Sequence, residues 1–277
     1  MKKSFIAIIA LLCSLATSAR ERVCFDSDWK FILGDSAQMA SVEYNDAHWR
    51  TLNVPHDWAI EGDFYAGNPS GAGGGALPGG IGWYRKHFTV SSRRPMSSRP
   101  EWRDLSRFFL EFDGVYMNST VYVNGHKVGF RPYGYSSFEY DITPYVHEGN
   151  NVVAVRVDNS DQPNSRWYSG CGIYRHVWLT KTNPIHIKHW GVYIHDGKVE
   201  VDFENPTNQK VTVKNTWLDV NGRVVPLSSR ATSSARLSCV PMVASDQRSS
   251  GRLASPRNLS RLHKWSIESP YIYKVRT

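Results

Sequence analysis

The stretch Thr120-Val-Tyr-Val-Asn-Gly-His-Lys-Val128 decides the fold class of this chain. A run of β-branched and aromatic residues precedes the dipeptide Asn124-Gly125, and Lys127-Val128 resumes the apolar pattern. Asn-Gly suits a two-residue turn because both of its residues adopt positive φ readily. Such a dipeptide between two apolar runs is the strongest short-range signal of a β-hairpin. The stretch therefore predicts two antiparallel strands.

Strand patterns continue on both sides of this hairpin. Phe108-Phe-Leu-Glu-Phe112 is an apolar run that ends at the turn pair Asp113-Gly114. Three valines further on, Val153, Val155 and Val157, alternate with smaller or charged residues. A period of two indicates a strand with one buried face and one face in water. Since no helical spacing is sustained over three turns after the first residues, we expect an antiparallel β-sandwich over residues 20–181.

After Thr182-Asn-Pro184 the pattern restarts with shorter strands. Val199, Val201 and Phe203 alternate with acidic residues, and Asn221-Gly222 later turns the chain. Short strands separated by polar turns predict a small immunoglobulin-like sandwich over residues 182–277. A Ser/Arg-rich range of about 228–262 interrupts it with no strand period and little apolar content, so we expect a disordered insert there.

The first 19 residues have the pattern of an export signal. Lys2 and Lys3 precede an apolar run, Phe5 to Leu15, and Thr17-Ser-Ala19 is a small-residue cleavage site. We expect cleavage after Ala19 and a periplasmic or secreted mature protein. Because the apolar run is too short to span a bilayer, no stable membrane anchor is expected.

Cysteine spacing and charge distribution exclude several classes of protein. The mature chain would keep Cys24, Cys171 and Cys239, an odd number at irregular spacing that is typical neither of a disulfide framework nor of a metal site. The net charge is +8, but the Ser/Arg-rich range alone holds six arginines and one acid, Asp246. These arginines alternate with serines rather than aromatics and accompany no helix-turn-helix or zinc-finger pattern. We therefore expect no metal and no nucleic-acid partner.

Gly71-Ala-Gly-Gly-Gly-Ala76 loosely matches a dinucleotide-binding loop. The context does not support that interpretation, because Pro78 and two glycines follow where a helix would have to begin. We predict a flexible surface loop instead. No cofactor is expected.

The segment Asn164-Ser-Arg-Trp-Tyr-Ser-Gly-Cys-Gly-Ile-Tyr-Arg175 gathers large polar and aromatic side chains in one predicted loop. Planar apolar faces beside a fixed cation suit a sugar ring, although Trp and Tyr also fill ordinary cores. Arg166 offers planar donors to sugar hydroxyls or to a carboxylate, or else pairs with Asp158 or Asp161. For Trp167 we favour a role in the site.

Two further residues of the predicted site region have structural interpretations. Tyr168 is interpreted as a core residue, since tyrosine next to an apolar strand is commonly buried. Asp57 in His56-Asp-Trp58 follows a proline in a predicted loop. We expect it to accept hydrogen bonds from backbone groups and so to shape the wall of the site.

Seven segments together resemble the amino-terminal region of glycoside hydrolase family 2, which contains β-galactosidases, β-glucuronidases and β-mannosidases. Their order and spacing over about 150 residues carry the resemblance. The segments are Asp28-Trp-Lys-Phe31, Trp49-Arg-Thr-Leu-Asn-Val-Pro-His-Asp-Trp58, Gly82-Trp-Tyr-Arg-Lys86, Phe112-Asp-Gly-Val115, Val123-Asn-Gly125, Ser165-Arg-Trp-Tyr168 and Gly172-Ile-Tyr-Arg175.

The resemblance implies a jelly-roll (galactose-binding-like) domain, then an immunoglobulin-like domain, then a catalytic (β/α)8 barrel. It is greatest to exported members of the β-galactosidase type and implies a β-galactoside-like substrate. Both catalytic glutamates of the family lie in the barrel, one of them in an Asn-Glu pair, and no Asn-Glu dipeptide occurs in this sequence. Some members carry an acidic residue where Arg166 stands, so no metal role is transferred to this position.

We therefore expect no catalytic residue in this chain. It would be the non-catalytic amino-terminal fragment of a family 2 glycosidase, with a truncated second domain and without the barrel. Arg166, Trp167 and Asp57 would contribute to carbohydrate binding and to the active-site wall of the full-length enzyme. Two alternatives stay open: a stand-alone carbohydrate-binding module, or a truncated product without function.

Overall fold

The computed structural model describes residues 20–91, 106–195, 198–206, 212–213, 215–224, 235–236, 250–254 and 274–276. The chain divides into two compact units, the first containing the described residues up to Thr182 and the second those from Asn183. The described residues form β-strands and short 3-10 turns without an α-helix, and this confirms the all-β prediction. Among them no helix is long and apolar enough to span a membrane.

The first unit consists of two antiparallel sheets. The four-stranded sheet has the order β1-β10-β5-β8 and the six-stranded sheet the order β3-β2-β4-β9-β6-β7. The chain passes repeatedly from one sheet to the other, as predicted for a jelly roll. The strands are β1 Arg20–Cys24, β2 Trp29–Leu33, β3 Arg50–Leu52, β4 Gly80–Val90, β5 Arg107–Phe112, β6 Ser119–Val123, β7 His126–Arg131, β8 Phe138–Asp141, β9 Gly149–Asn159 and β10 Val177–Thr182.

The predicted hairpin is formed by β6 and β7. Val123 pairs with His126 across the turn, and Asn124 and Gly125 have φ angles of 49° and 81°. Positive φ at both central residues is the geometry that Asn-Gly favours in a two-residue hairpin turn. The Asn124 side chain strengthens the turn because it donates to the Tyr145 carbonyl at 2.8 Å.

The core of the first unit lies between the two sheets. It takes every second residue of β9, Val153, Val155 and Val157, and these are fully buried as the alternation predicted. The opposite face of β9 is not uniformly in water, because Ala154 is buried with Trp83 on that side. The segment between β2 and β3, which includes the 3-10 turn Ala37–Ala40, covers this part of the sheet.

The candidate site lies at one end of the longest strand pair. β4 and β9 pair over eleven positions, from Gly80 opposite Asn159 to Val90 opposite Gly149. At one end of this pair the chain leaves β9 at Asn159 and enters the loop of residues 160–176 before β10. Two more 3-10 turns, Ala59–Glu61 and Ala72–Gly74, lie in the connection between β3 and β4.

The described residues of the second unit form three small antiparallel sheets with the orders β11-β12-β16, β13-β15 and β14-β17. Its described core is formed by Val199, Val201 and Phe203, the alternating residues of β12. The immunoglobulin-like description of this unit stays a prediction. Its strands are β11 His186–His195, β12 Lys198–Glu204, β13 Thr212–Val213, β14 Thr216–Leu218, β15 Ala235–Arg236, β16 Ser250–Ala254 and β17 Lys274–Arg276.

The prediction of disorder throughout 228–262 is wrong for part of that range. β15 and β16 lie within it, and β16 pairs with β12 over five positions, Glu200–Glu204 opposite Ala254–Ser250. Strand pairing uses backbone groups, so a Ser- and Arg-rich sequence can still form a strand beside β12. The rest of the predicted insert, the predicted export signal at 1–19 and Cys239 lie outside the described residues.

Candidate functional site

The loop of residues 160–176 is held at its base by Asn159, the last residue of β9. The buried Asn159 side chain donates to the Gly170 carbonyl at 3.0 Å and accepts from Asn164 at 2.7 Å and from Gln162 at 2.8 Å. One amide side chain therefore connects the start of the loop to Gly170 in its second half. Sequence reasoning missed this residue. The signal was a polar side chain at the position where the valine alternation of β9 ends.

Backbone bonds fix the second half of the loop. His56 N–H donates to the Ile173 carbonyl at 2.8 Å, and Tyr116 and Gly172 form an isolated antiparallel bridge. Gly172 has a φ of +109°, and a Cβ there would collide with the Tyr84 hydroxyl and lie 2.8 Å from the His56 carbonyl oxygen. The glycine of Gly-Ile-Tyr-Arg is thus required by close packing.

Asp57 connects this loop to the segment that follows β3. Its Oδ1 accepts from the N–H of Cys171 at 2.9 Å and from the N–H of Ala59 at 3.0 Å, and its Oδ2 accepts from the Tyr168 hydroxyl. These are the backbone hydrogen bonds predicted for Asp57. Its contact with a substrate stays a prediction.

Tyr168 is not a core residue, so the sequence-based interpretation was wrong. Its side chain is 40% exposed, and its ring faces the glycine-rich turn at Gly75. The loop turns this ring outward because the hydroxyl bonds to Asp57 at the surface rather than to a group in the core. Desolvation, followed by the hydrogen bond to the Asp57 carboxylate, raises the pKa of Tyr168 well above its usual value. The hydroxyl therefore remains a donor.

Trp167 points away from the core, with 60% of its side chain exposed. Its indole Nε1 donates to the Tyr135 hydroxyl at 2.9 Å. The Tyr135 ring lies 5.8 Å from the Tyr133 ring and meets the Tyr116 ring edge-on at 5.2 Å. Sequence reasoning missed Tyr133 and Tyr135. An aromatic-Gly-aromatic triplet in the connection between two strands was the available signal.

Arg166 is exposed and does not form either of the predicted ion pairs. Among the described residues Asp158 pairs instead with Arg156 at 3.1 Å, and the Asp161 carbonyl accepts from Asn164. The Arg166 backbone lies beside Gly73, where a Cβ would be 3.6 Å from the Arg166 Cα. Arg166 is therefore an exposed residue of the same loop as Trp167 and Tyr168.

The glycine-rich segment 71–76 is a hydrogen-bonded turn next to this loop. Ala76 N–H donates to the Gly71 carbonyl at 2.8 Å, and Gly71 N–H donates to the Asn68 carbonyl at 3.0 Å. It follows no strand and opens no helix of the kind that a dinucleotide site requires. It is part of the β3–β4 connection and lies against the loop, since Gly73 faces the Arg166 backbone and Gly75 faces Tyr168.

The site is an open surface rather than an enclosed pocket. A depression of about 210 Å³, which includes open solvent, is lined by Tyr168, Asn159 and Pro78 among others. Cys171 also lines it, and desolvation raises the pKa of its thiol to about 12, so the thiol is protonated at neutral pH. With Asp57 bonded to three donors, this arrangement suits binding rather than acid–base chemistry.

Comparison with known proteins identifies the family that this chain matches. Residues 76–183 match the model of the sugar-binding domain of family 2 glycosyl hydrolases. A β-galactosidase of Bacteroides ovatus is 46% identical over 277 residues, which cover 95% of this chain and 30% of that protein.

Solved structures agree with the sequence match. A β-glycosidase from Bacteroides vulgatus superposes with a TM-score of 0.69 at 35% identity, covering 92% of this chain and 31% of that one. A β-glucuronidase of family 2 superposes with a TM-score of 0.72 at 26% identity, covering 94% and 29%. The chain thus spans about 30% of the length of the relatives that it matches. It belongs to glycoside hydrolase family 2 and corresponds to the amino-terminal region of these glycosidases, including their sugar-binding domain.

Proposed function

We propose that this chain is the non-catalytic amino-terminal part of an exported family 2 β-galactosidase, in which it binds carbohydrate and forms one wall of the active site. The observation that carries the proposal is the loop cluster that brings Asp57, Arg166 and Trp167 to one end of the first unit. Exposed planar and cationic groups on a hydrogen-bonded loop are suited to a sugar ring.

Its non-catalytic role is supported by the chemistry of the site. Retaining hydrolysis of a glycoside needs two carboxylates about 5 Å apart, one as acid/base and one as nucleophile. At this surface Asp57 already accepts three hydrogen bonds, so it is a structural acceptor. The relatives are about three times as long as the matched region, and the catalytic pair is proposed to lie in that further length.

The substrate class and the location rest on separate observations. The relative that is 46% identical is a β-galactosidase, which supports a β-galactoside as the substrate. Export to the periplasm or the medium is proposed from the basic and apolar pattern of residues 1–19 together with Thr17-Ser-Ala19.

Hydrolysis of p-nitrophenyl β-D-galactoside tests the proposal. The 277-residue chain should release no p-nitrophenol above background, whereas the product of a reading frame extended beyond the Thr277 codon should hydrolyse the substrate. In the extended protein, Trp167→Ala should raise KM at least severalfold. Trp190→Ala, an equally exposed tryptophan of the second unit, should leave KM unchanged.

Two results would contradict the proposed function. One is hydrolysis by the 277-residue chain itself. The other is an extended frame whose product cleaves none of the aryl β-galactoside, β-glucuronide and β-mannoside substrates. If no coding sequence continues beyond Thr277 and the chain binds sugar, a stand-alone carbohydrate-binding module replaces the proposal.

A further inference from the structure

We propose that Tyr133, Tyr135 and Trp167 form one aromatic platform that stacks on the pyranose rings of an oligosaccharide. The inference rests on the proposed function and deepens it, because it names the surface that holds the sugar and the class of ligand. Two of the three residues lie in the connection between β7 and β8, and the third lies between β9 and β10.

The platform is exposed and contiguous. Tyr133, Tyr135 and Trp167 have 57%, 40% and 60% of their side chains in contact with solvent. Single exposed apolar side chains are ordinary on protein surfaces, but adjacent ones form a patch that commonly marks a binding site. Here the adjacency is direct, since the Trp167 indole bonds to Tyr135 and the two tyrosine rings meet edge-on at 5.8 Å with 67° between their planes. Each ring therefore presents its own face to a ligand.

The hydrogen bond from Trp167 to Tyr135 fixes the orientation of an exposed ring. An indole N–H at the surface has water available, so its bond to the Tyr135 hydroxyl at 2.9 Å is not needed to satisfy a buried donor. Its effect is to hold two aromatic rings in one arrangement. Because less rotamer freedom is then lost on binding, a ligand that stacks on both rings binds more tightly.

The loop that carries Tyr133 and Tyr135 packs against Tyr116 and is hydrogen-bonded to Tyr174. Gly134 lies directly over the buried Tyr116 ring, and a Cβ at this position would collide with that ring. The Tyr174 hydroxyl donates to the Gly134 carbonyl at 2.9 Å. Arg131 also donates to the Ser136 hydroxyl across the ends of the loop. The platform therefore stands on a rigid base, as a preformed binding surface requires.

The chemistry of the platform selects the ligand class. A pyranose ring has an apolar C–H face, which a flat aromatic ring can bury, and a rim of hydroxyls, which the tyrosine hydroxyls and the neighbouring Arg166 can bond. The surface is open, and the depression at the adjacent loop merges with solvent. A ligand that lies along several rings fits this shape better than a single enclosed sugar. The ligand is therefore an oligosaccharide.

Calorimetric titration of the full chain tests the platform. The probes are three neutral trisaccharides, β-1,4-galactotriose, cellotriose and β-1,4-mannotriose, with galactose as the monosaccharide. We expect at least one trisaccharide to bind and galactose to bind about tenfold more weakly or not at all. Trp167→Ala and Tyr133→Ala should each weaken trisaccharide binding by about tenfold, which corresponds to about 1.4 kcal/mol. Tyr135→Phe should weaken it about threefold, since it removes the bond that orients Trp167 and leaves the ring in place.

Trp190→Ala is the matched control, because Trp190 is 61% exposed but lies in the second unit. It should bind like the wild type, and all variants should keep the wild-type melting temperature. The platform is overturned if Trp167→Ala and Tyr133→Ala bind the trisaccharide as tightly as the wild type, if galactose binds equally well, or if none of the trisaccharides binds. The proposed function is judged by the hydrolysis assay of the extended protein, so the two can fail separately.

Discussion

Trp29 in the sandwich core and Trp167 in the loop after β9 both use the indole N–H in a hydrogen bond, but with different partners. Trp29 is fully buried and donates to the Phe25 carbonyl at 2.8 Å. Trp167 is mostly exposed and donates to the Tyr135 hydroxyl at 2.9 Å. The first bond satisfies a donor that water cannot reach, whereas the second orients one ring against another.

The same distinction holds for other aromatic residues of the two regions. Trp58 is buried and donates to the Gly79 carbonyl at 3.1 Å, and Tyr84 packs on Trp29 with ring centroids 6.4 Å apart. In the exposed region Tyr133 and Tyr135 pack on each other and leave much of their surface in water. Aromatic residues in the core therefore contribute to folding stability, while those of the platform are available for a ligand.

The largest expected effect is on stability, from Trp29→Ala. Removing a fully buried indole leaves a cavity, so the free energy of unfolding of the first unit should fall by about 3–5 kcal/mol. Urea denaturation followed by circular dichroism measures this. Trp167→Ala should change the same quantity by no more than about 0.5 kcal/mol. Similar losses in both variants would remove the distinction between the two regions.

Asp57→Ala is expected to have the next largest effect on stability. Asp57 bonds the loop after β9 to the segment that follows β3. The variant leaves the N–H groups of Cys171 and Ala59 without their acceptor, and the unfolding free energy should fall by about 1–3 kcal/mol. Denaturation in urea again gives the value. Asp63→Ala removes an exposed carboxylate in the following segment and should change stability by at most about 0.5 kcal/mol. Equal effects would show that Asp57 does not hold the loop.

A smaller, pH-dependent effect is expected from His56, which packs against Phe31 in the core with ring centroids 4.7 Å apart. Burial lowers the pKa of His56 below its usual 6.5, although the Glu61 carboxylate opposes the shift. The unfolded state therefore binds a proton more readily than the folded state. The stability contribution is present above pH 6.5 and is lost as the pH falls through the lower folded pKa.

Urea midpoints measured between pH 5 and pH 8 test this dependence. The His56 contribution to stability, taken as the difference between the wild type and His56→Gln, should fall at the acidic end by no more than about 1.4 kcal/mol per pH unit. His56→Gln should flatten the profile, and the exposed substitution His48→Gln should leave it as in the wild type. A His56→Gln profile identical to that of the wild type would show that His56 does not cause the slope.

The smallest effect is expected from Tyr135→Phe. Loss of one exposed hydroxyl should change the unfolding free energy by at most about 0.5 kcal/mol. The Trp167 indole N–H loses its acceptor, so its hydrogen should exchange with solvent faster in NMR spectra. Tyr133→Phe retains that acceptor and should leave the exchange rate unchanged. An unaltered rate in Tyr135→Phe would mean that the bond does not orient Trp167.

Part of the fold was predictable from local patterns. Asn124-Gly125 predicted the hairpin because the backbone conformation of a two-residue turn depends on those two residues alone. The valines of β9 predicted its buried face for the same local reason. The pattern could not predict that Ala154 on the other face is buried, since the covering residues come from the distant segment around Met39.

The candidate site was only partly predictable. Trp167 and Arg166 stand in one loop, and the bonds of Asp57 to backbone groups agree with its position in a turn after a proline. Tyr168 was misinterpreted because its exposure depends on a hydrogen bond to a residue 111 positions away in the sequence. Tyr135 was missed because its contact with Trp167 joins two loops that are 32 positions apart.

The sequence by itself determined the all-β class, the turn positions and the membership in glycoside hydrolase family 2, because these depend on local conformational preference and on the order of motifs along the chain. Only the tertiary structure decided which aromatic rings are buried and which are exposed. For Trp167 and Tyr168 that outcome depends on where the indole N–H and the phenol hydroxyl find their partners, and these partners come from distant parts of the chain. The tertiary structure therefore separates the aromatic residues of the core from the aromatic platform.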